Sequence, residues 1–469
     1  MKRATQRTTI FLTAILLLSH FAFAFPARKS AEPILSRSWM RTQDGWIVLH
    51  IEGKPYDRGF QYGYRLADEI THYRGLMALE FQHNTKQKID VYYDQVEKLY
   101  WDHFDVEYQE EMRGMADGAK YAGKEVSLRD VLVINTYYEI GLWWDTVGKK
   151  QFPEPQKDHC SSFIAVGEMT KDGDIVLAHN TWFDYYAASF CRIILEIVPQ
   201  KGHKIFMQNN VGMLYSETDF FITDAGLVGS ETTIGDFKGY DVKGDPVSVR
   251  ARRAMQYADN ITEWVELISR GNNGAYANAW LIGDIETREI ARLELGLKYE
   301  SLERTRNGYF AGSNIAENAN ILQEETGSNP NNANNGCVAR RLRWQQLMRQ
   351  NKGKIDAEAA KMFLADHYDT YLGFERPGPR TLCGHVIVDA TRPDDTETWF
   401  GGAFDGKVVT GAMAKQWGFW ARWGCSCGIG FDAKKFLTVH PQFEWAKAYF
   451  QDIKPAPWTF VAPGGKKKK

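Results

Sequence analysis

The hydrophobic period of the chain changes at Cys160. From Pro55 to Trp144 apolar residues recur at helical spacing; from Ser161 onwards they gather into short runs of strand length separated by turn residues. Helices first and strands afterwards constrain the chain to an α+β domain in which helices cover the faces of sheets. The two regimes are joined by "GKKQFPEPQKDH" (Gly148 to His159), which is polar, carries two prolines and lacks an apolar period, and so reads as an exposed loop. Cys160 is therefore a thiol placed between an exposed loop and the first residue of a strand.

Before that point, "WIVLHIEG" (Trp46 to Gly53) reads as a short strand closed by glycine. Helical spacing follows in "GKPYDRGFQYGYRLADEITHYRGLMALE", "YYDQVEKLYWDHF", "EEMRGMADGAKYAG" and "VSLRDVLVINTYYEIGLWW", the last with Ser127 as its N-cap. After Cys160, "SSFIAVGEMT" and "IVLAHNTWF" flank "KDGD", whose Asp172-Gly173 is a hairpin signal. Further strands are expected at "CRIILEIVP", "HKIFMQNN", "FFITDAGLV", "NAWLIGD", "EIARLEL", "NGYFAGS" and "GHVIVDA", all compatible with antiparallel pairing. Helices are expected from Ser248 to Ser269, Val338 to Met348 and Ala357 to His367.

The first residues have the layout of a secretory signal peptide. Lys2, Arg3 and Arg7 precede "IFLTAILLLSHFAFA", which ends in Ala22-Phe23-Ala24, so export and cleavage after Ala24 are expected. No later stretch is long and apolar enough to span a bilayer. With 44% hydrophobic and 25% charged residues among 469, the chain reads as globular. A net charge of -2 gives no electrostatic footprint for a polyanion, so nucleic acid is not an expected partner.

Six cysteines in an exported chain invite disulfides, but setting Cys160 aside leaves an odd number. The Cys425 and Cys427 pair matches neither a redox motif nor a zinc pattern, and reads as a structural bridge or as buried thiols. Histidines and cysteines are scattered, without HExxH or repeated CxxC, so no metal and no cofactor are expected.

A hairpin turning at Asp172-Gly173 brings His179, Asn180, Thr181 and Trp182 back towards Cys160. His179 could then serve as the base a nucleophilic cysteine needs. Alternatively, a cut between His159 and Cys160 gives Cys160 a free α-amine, whose ordinary pKa of about 7.7 to 8 suits it to take the thiol proton. Such a cut can be self-made: the thiol attacks the His159 carbonyl, the acyl group shifts from nitrogen to sulfur, and water hydrolyses the thioester. The residues alone leave two other readings open, a buried strand-start cysteine and a papain-like enzyme using a distant histidine such as His385.

Cys160-Ser161-Ser162, the hairpin and "AHNTW" (Ala178 to Trp182) resemble the phospholipase B-like proteins, N-terminal-nucleophile hydrolases near the penicillin acyltransferase-like autoproteolytic group. The likeness continues in order through "QNNVG" (Gln208 to Gly212), "DFFITDAGLVGSETTI" (Asp219 to Ile234) and "NNGAYANAWLIGD" (Asn272 to Asp284), weakening beyond. Upstream, "GKPYDRGFQYG" (Gly53 to Gly63) and "SLRDVLVINTYYEI" (Ser127 to Ile140) resemble the opening of that group and the helix before its cleaved loop.

The resemblance implies a four-layered αββα sandwich. Residues 1–24 would be the signal peptide, 25–159 a mostly helical segment ending in a cleavable loop, and 160–469 the catalytic part. It implies Cys160 as nucleophile and Asn278 as an oxyanion donor, an amide N–H being the right type. His179 and Asn180 would orient the amine or the substrate carbonyl, and Thr181 and Trp182 would line the pocket. Glu231 and Asn210 match patterned positions but stay outside the catalytic set. The implied substrate is a small acyl amide or acyl ester, a lipid among the candidates, and the N-terminal fragment would be released or retained. "WFDYYAASFCR" departs from the family after the tryptophan, so a different substrate pocket is expected. No residue here implies a phospholipase in particular, and a catalytically silent binding relative is the runner-up reading.

Overall fold

The computed structural model describes residues 31–146, 160–218, 220–385 and 401–464. The signal-peptide region, the loop ending at His159, Asp219 and nearly all of the strand expected at "GHVIVDA" lie outside them.

Among the described residues, two sheets form the middle of the molecule. The larger has nine strands in the order Trp39–Gln43, Trp46–Gly53, Ile193–Pro199, Ile205–Asn209, Phe220–Thr223, Leu227–Thr233, Asn278–Asp284, Glu289–Leu295 and Glu300–Thr305. The smaller has six, in the order Gly308–Gly312, Ser161–Gly167, Gly173–Asn180, Asp405–Thr410, Phe419–Trp423 and Thr459–Val461. Strand alternation explains how they stack. Ser162 faces the larger sheet, where its hydroxyl lies 2.6 Å from that of Ser230. Its neighbour Phe163 faces away, onto Trp344 of the helix Gly336–Gln350 and Phe363 of the helix Ala357–Leu364. Beyond the larger sheet, Trp264 of the helix Ile261–Ser269 packs edge-on against Trp280. The order is helix, sheet, sheet, helix, which is the expected αββα arrangement of an α+β protein.

Both sheets are covered at their centres, so the central strands are apolar on both faces instead of alternating; every residue from Ser161 to Val166 is buried. One pairing departs from expectation. Trp46–Gly53 runs parallel to Ile193–Pro199, so the mostly helical first region also supplies two strands to the larger sheet.

Two expected helices are each a pair. Ser127 caps Leu128–Ile134 with a capping box to Asp130, but the helix stops at Asn135 and restarts at Tyr137. Asn135 spends its side chain on Gly212 O and Leu214 N, which anchors the break. Likewise Asn260 caps a second helix, Ile261–Ser269, after Val247–Tyr257 ends.

The first region is pinned by glycine. Gly59 and Gly63 of the helix Pro55–Arg65 sit on the backbone of Val106–Tyr121, where a Cβ would come within 1.8 and 1.9 Å of carbonyl oxygens. Only glycine permits that approach. Beside this contact Glu111 is buried between Arg58 at 2.6 Å and Arg252 at 3.0 Å, and the two cations hold its carboxyl below the usual range against burial, which is the largest influence and pushes it up.

Candidate active site

Cys160 immediately precedes the strand Ser161–Gly167 and is buried. The expected hairpin is formed, and it pairs Ser161 with Asn180 and Ser162 with His179. Its connection is longer than a two-residue turn: residues 168–172 lie between Gly167 and Gly173, both at positive φ.

Arg340 grips the start of this strand. Its guanidinium donates to the Cys160 carbonyl at 2.5 Å, to Ser161 Oγ at 3.1 Å and to Asn314 Oδ1 at 3.0 Å, and lies 4.6 Å from the centre of the Trp182 ring. Arg340 is fully buried, and none of these partners is a carboxylate. Burial lowers its pKa, while the Cys337 and Cys160 thiols oppose that. A buried cation without a carboxylate partner is costly, and is best matched where negative charge forms.

Asn278 opens its strand in the facing sheet, opposite Thr233. Its strand partner Thr233 is linked to Cys160 through Asn314 and Arg340: Asn314 Nδ2 donates to the Thr233 carbonyl, and Asn314 Oδ1 accepts from Arg340, which donates to the Cys160 carbonyl. Both residues therefore stand at one end of the sandwich. Among the described residues the Asn278 amide is fully buried, and neither Nδ2 nor Oδ1 has a hydrogen-bond partner. Folded proteins rarely leave such a group unsatisfied, at a cost of about 1–3 kcal/mol.

The other expected residues divide. His179 points between the sheets, with Nε2 3.1 Å from the Glu231 carbonyl and Nδ1 without a partner among the described residues. Burial, then the nearby Lys407 charge, hold the imidazole well below its ordinary pKa, so it is neutral. Asn180 faces the opposite way. Its Nδ2 donates to the Leu364 and Leu382 carbonyls and its Oδ1 accepts from Ser426, so its amide is committed to tying the strand end to the outer helix layer. Thr181 is buried in a polar network: Lys407 donates to its hydroxyl at 2.5 Å, and its N–H donates to Asp405. Trp182 is a wall between Arg340 and the backbone of Gly384, where a Cβ would meet the indole at 1.9 Å. His159 lies outside the described residues. His385 turns its Nε2 to the Cys383 and Cys427 sulfurs, at 3.4 and 3.3 Å.

Sequence reasoning missed Arg340 and Asn314. Arg340 sits in "ARRLRW", an arginine-rich stretch that reads as a solvated helix face, and only the fold shows which arginine turns inward. It also missed a buried acid next to the site. Glu217 accepts from Tyr138, whose ring stacks on Tyr276, which donates to Glu231. Burial, opposed by bonds from Tyr138 and Asn210 and by Lys407, pushes the Glu217 carboxyl up from 4.5 to about 7. No disulfide joins Cys383, Cys425 or Cys427; the bridge considered for the last two is not formed, their sulfurs standing 3.1 Å apart.

Comparison with known proteins agrees with the family resemblance. An uncharacterised protein of Archaeoglobus fulgidus is 26% identical over 270 aligned positions, covering 52% of this chain and 42% of the relative. Phospholipase B-like protein C of Dictyostelium discoideum is 23% identical, with 65% of this chain and 60% of the relative covered. Human phospholipase B-like 1 is 24% identical, with 57% and 52% covered. The chain thus spans less than two thirds of these relatives' length. A variant of the conjugated bile acid hydrolase of Clostridium perfringens overlaps 56% of this chain and 89% of its own, at 11% identity and a TM-score of 0.32, an overlap too loose to carry weight. The sequence model of the Phospholipase B family matches residues 27–297, more than half of the chain, and the protein belongs to that family.

Proposed function

We propose that this protein is an exported, self-processing cysteine hydrolase, which cleaves or transfers an acyl group from a small amide or ester through a thioester on Cys160. The observation that carries the reading is the Asn278 amide, buried without a partner among the described residues at the same end of the sandwich as Cys160 and its buried Arg340. Export rests on the signal-peptide layout of the first residues.

In processing, the Cys160 thiol adds to the His159 carbonyl carbon, the C–N bond breaks, and the acyl group passes to sulfur. Water hydrolyses the thioester, leaving a carboxylate on His159 and a free amine and thiol on Cys160. In turnover the amine takes the thiol proton and the thiolate attacks the acyl carbon. The oxyanion is held by the Asn278 N–H, a donor that needs no rearrangement because it has no ground-state partner. The protonated amine then gives its proton to the departing amine or alcohol, and water releases the acid. His179 is kept neutral as a positioning residue between the sheets, and Asn180 keeps the strand end in place. The N-terminal segment would remain bound after the cut, since it supplies two strands to the larger sheet.

The test is intact mass and N-terminal sequencing of the mature protein, beside Cys160→Ala. Two fragments are expected, the second beginning Cys-Ser-Ser-Phe and absent from the variant, together with turnover of an acyl substrate. A single uncut chain that still hydrolyses such substrates overturns the amine mechanism and returns the papain-like reading. A chain that does neither returns the silent one.

A further inference from the structure

Around Gly384, whose backbone meets the Trp182 indole, four residues from three stretches of chain converge. His367 follows the helix Ala357–Leu364, Cys383 and His385 flank Gly384, and Cys427 follows the strand Phe419–Trp423. One ligand atom from each lies within 4.8 Å of all the others. Two edges of this group are resolved individually: His385 Nε2 stands 3.4 Å from Cys383 Sγ and 3.3 Å from Cys427 Sγ. A tetrahedral zinc with bonds of about 2.3 Å to sulfur and about 2.0 Å to nitrogen sets such edges at about 3.5 Å. His367 Nε2 is buried without a hydrogen-bond partner among the described residues, and its ring crosses that of His385 at 70°. An orphan imidazole nitrogen inside a set of thiols is a ligand in need of an acceptor of its lone pair.

The surroundings fit the same conclusion. The Ile429 N–H points at Cys427 Sγ from 3.4 Å, the kind of bond that supports a thiolate ligand. The Cys425 thiol, although 3.1 Å from Cys427, donates to the Ile429 carbonyl at 2.9 Å, which marks it as a supporting thiol outside the ligand set. Two sulfurs and two imidazoles, with no carboxylate among them, suit zinc over magnesium or calcium.

We propose that His367, Cys383, His385 and Cys427 bind one zinc ion in a closed, structural site. The scattered spacing that argued against a metal is overcome by the fold. Four protein ligands leave no position for substrate, so the ion braces the structure and takes no part in acyl chemistry. What it braces is specific. The Cys383–His385 stretch carries Gly384, on which the Trp182 ring rests, and follows Leu382, whose carbonyl accepts from Asn180; Ser426, next to Cys427, donates to the same Asn180. Zinc would lock the end of the hairpin that carries Cys160's neighbours.

The full chain, produced with zinc supplementation and without a histidine tag, is assayed for metal by elemental mass spectrometry and for thiol state by alkylation before and after a strong chelator. About one zinc per chain is expected, with Cys383 and Cys427 alkylated only after chelation, and zinc lost from Cys427→Ser and His367→Ala. Should the variants fail to fold, the wild type exchanged into cobalt decides: intense tetrahedral d–d bands with thiolate-to-cobalt charge transfer are expected. Absence of zinc and of those bands, a disulfide among Cys383, Cys425 and Cys427, or folded variants that keep full zinc content would each overturn the site. None of these readouts depends on enzymatic activity.

Discussion

Replacing Arg340 with methionine separates a charge role from a packing role. The guanidinium makes three hydrogen bonds to oxygen, at 2.5, 3.1 and 3.0 Å, and packs on the Trp182 ring. Charge-assisted bonds contribute about 1.5–3 kcal/mol each. Against that stands the cost of burying an arginine with no carboxylate partner among the described residues, several kcal/mol, which methionine removes while filling similar space. The net loss of stability is then about 1–3 kcal/mol, modest for so buried a cation. The effect on chemistry is larger. The Cys160 thiol already acts on the Arg340 charge; an opposite charge nearby favours a thiolate by about 1–3 pH units, and turnover falls with the nucleophile that is lost. The assay is the alkylation rate of Cys160 against pH, located by peptide mass, run beside a thermal melt and substrate turnover. Arg340→Met should move the alkylation midpoint upwards by about 1–3 units, and Arg340→Lys should restore part of it. A variant with an unchanged alkylation profile and full turnover, but a lower Tm, would show Arg340 to be a strut, and the charge argument would fail.

Asn278→Ala should lower turnover by about 100- to 1000-fold while leaving Tm unchanged or slightly raised, because the amide has no hydrogen bonds to lose; a clear loss of stability with normal kcat would sink its role as oxyanion donor. Glu217, raised from 4.5 to about 7 by burial, holds its proton more tightly folded than unfolded. Its stabilising contribution is therefore complete below about pH 4.5 and is lost as pH rises through about 7, about 3 kcal/mol in all. Denaturant melts of Glu217→Gln should show that slope removed, and an unaltered slope would place the titration elsewhere. Gly384→Ala puts a methyl 1.9 Å from the Trp182 indole and should cost about 1–3 kcal/mol by overpacking; a melt matching wild type would mean that the wall yields.

What could be read from the sequence was what pairs locally. The Cys160 hairpin has both strands and its turn within a short stretch, so its existence was legible from pattern, whereas its register, Ser161 against Asn180, was set by a five-residue connection and a bulge that only the structure shows. The parallel pairing of Trp46–Gly53 with Ile193–Pro199 has no local signature, since the partners lie far apart in sequence. The strand Glu300–Thr305 hid because it is an exposed edge, "ESLERT", protected by charge as edges are. Asp405–Thr410 hid because it opens with a buried ion pair, Asp405 with Lys407 at 2.9 Å, that reads as loop polarity. Helix breaks at Asn135 and Asn260 were obscured because continuous apolar spacing runs through both caps. The candidate site follows the same division. Its local half, Cys160 with His179 to Trp182, is visible in one motif. Its remote half is Arg340, 180 residues downstream of Cys160, with Asn314 and Gly384. One line of contact joins them, from the Cys160 carbonyl through Arg340 and the Trp182 ring to the Gly384 backbone and the His and Cys cluster beyond it. Close-packed interiors transmit displacement along such a line instead of absorbing it. A substitution at Gly384 should therefore alter the reactivity of Cys160 through Trp182 and Arg340, and should fail to do so in Arg340→Met, where the line is broken at the residue that grips the strand.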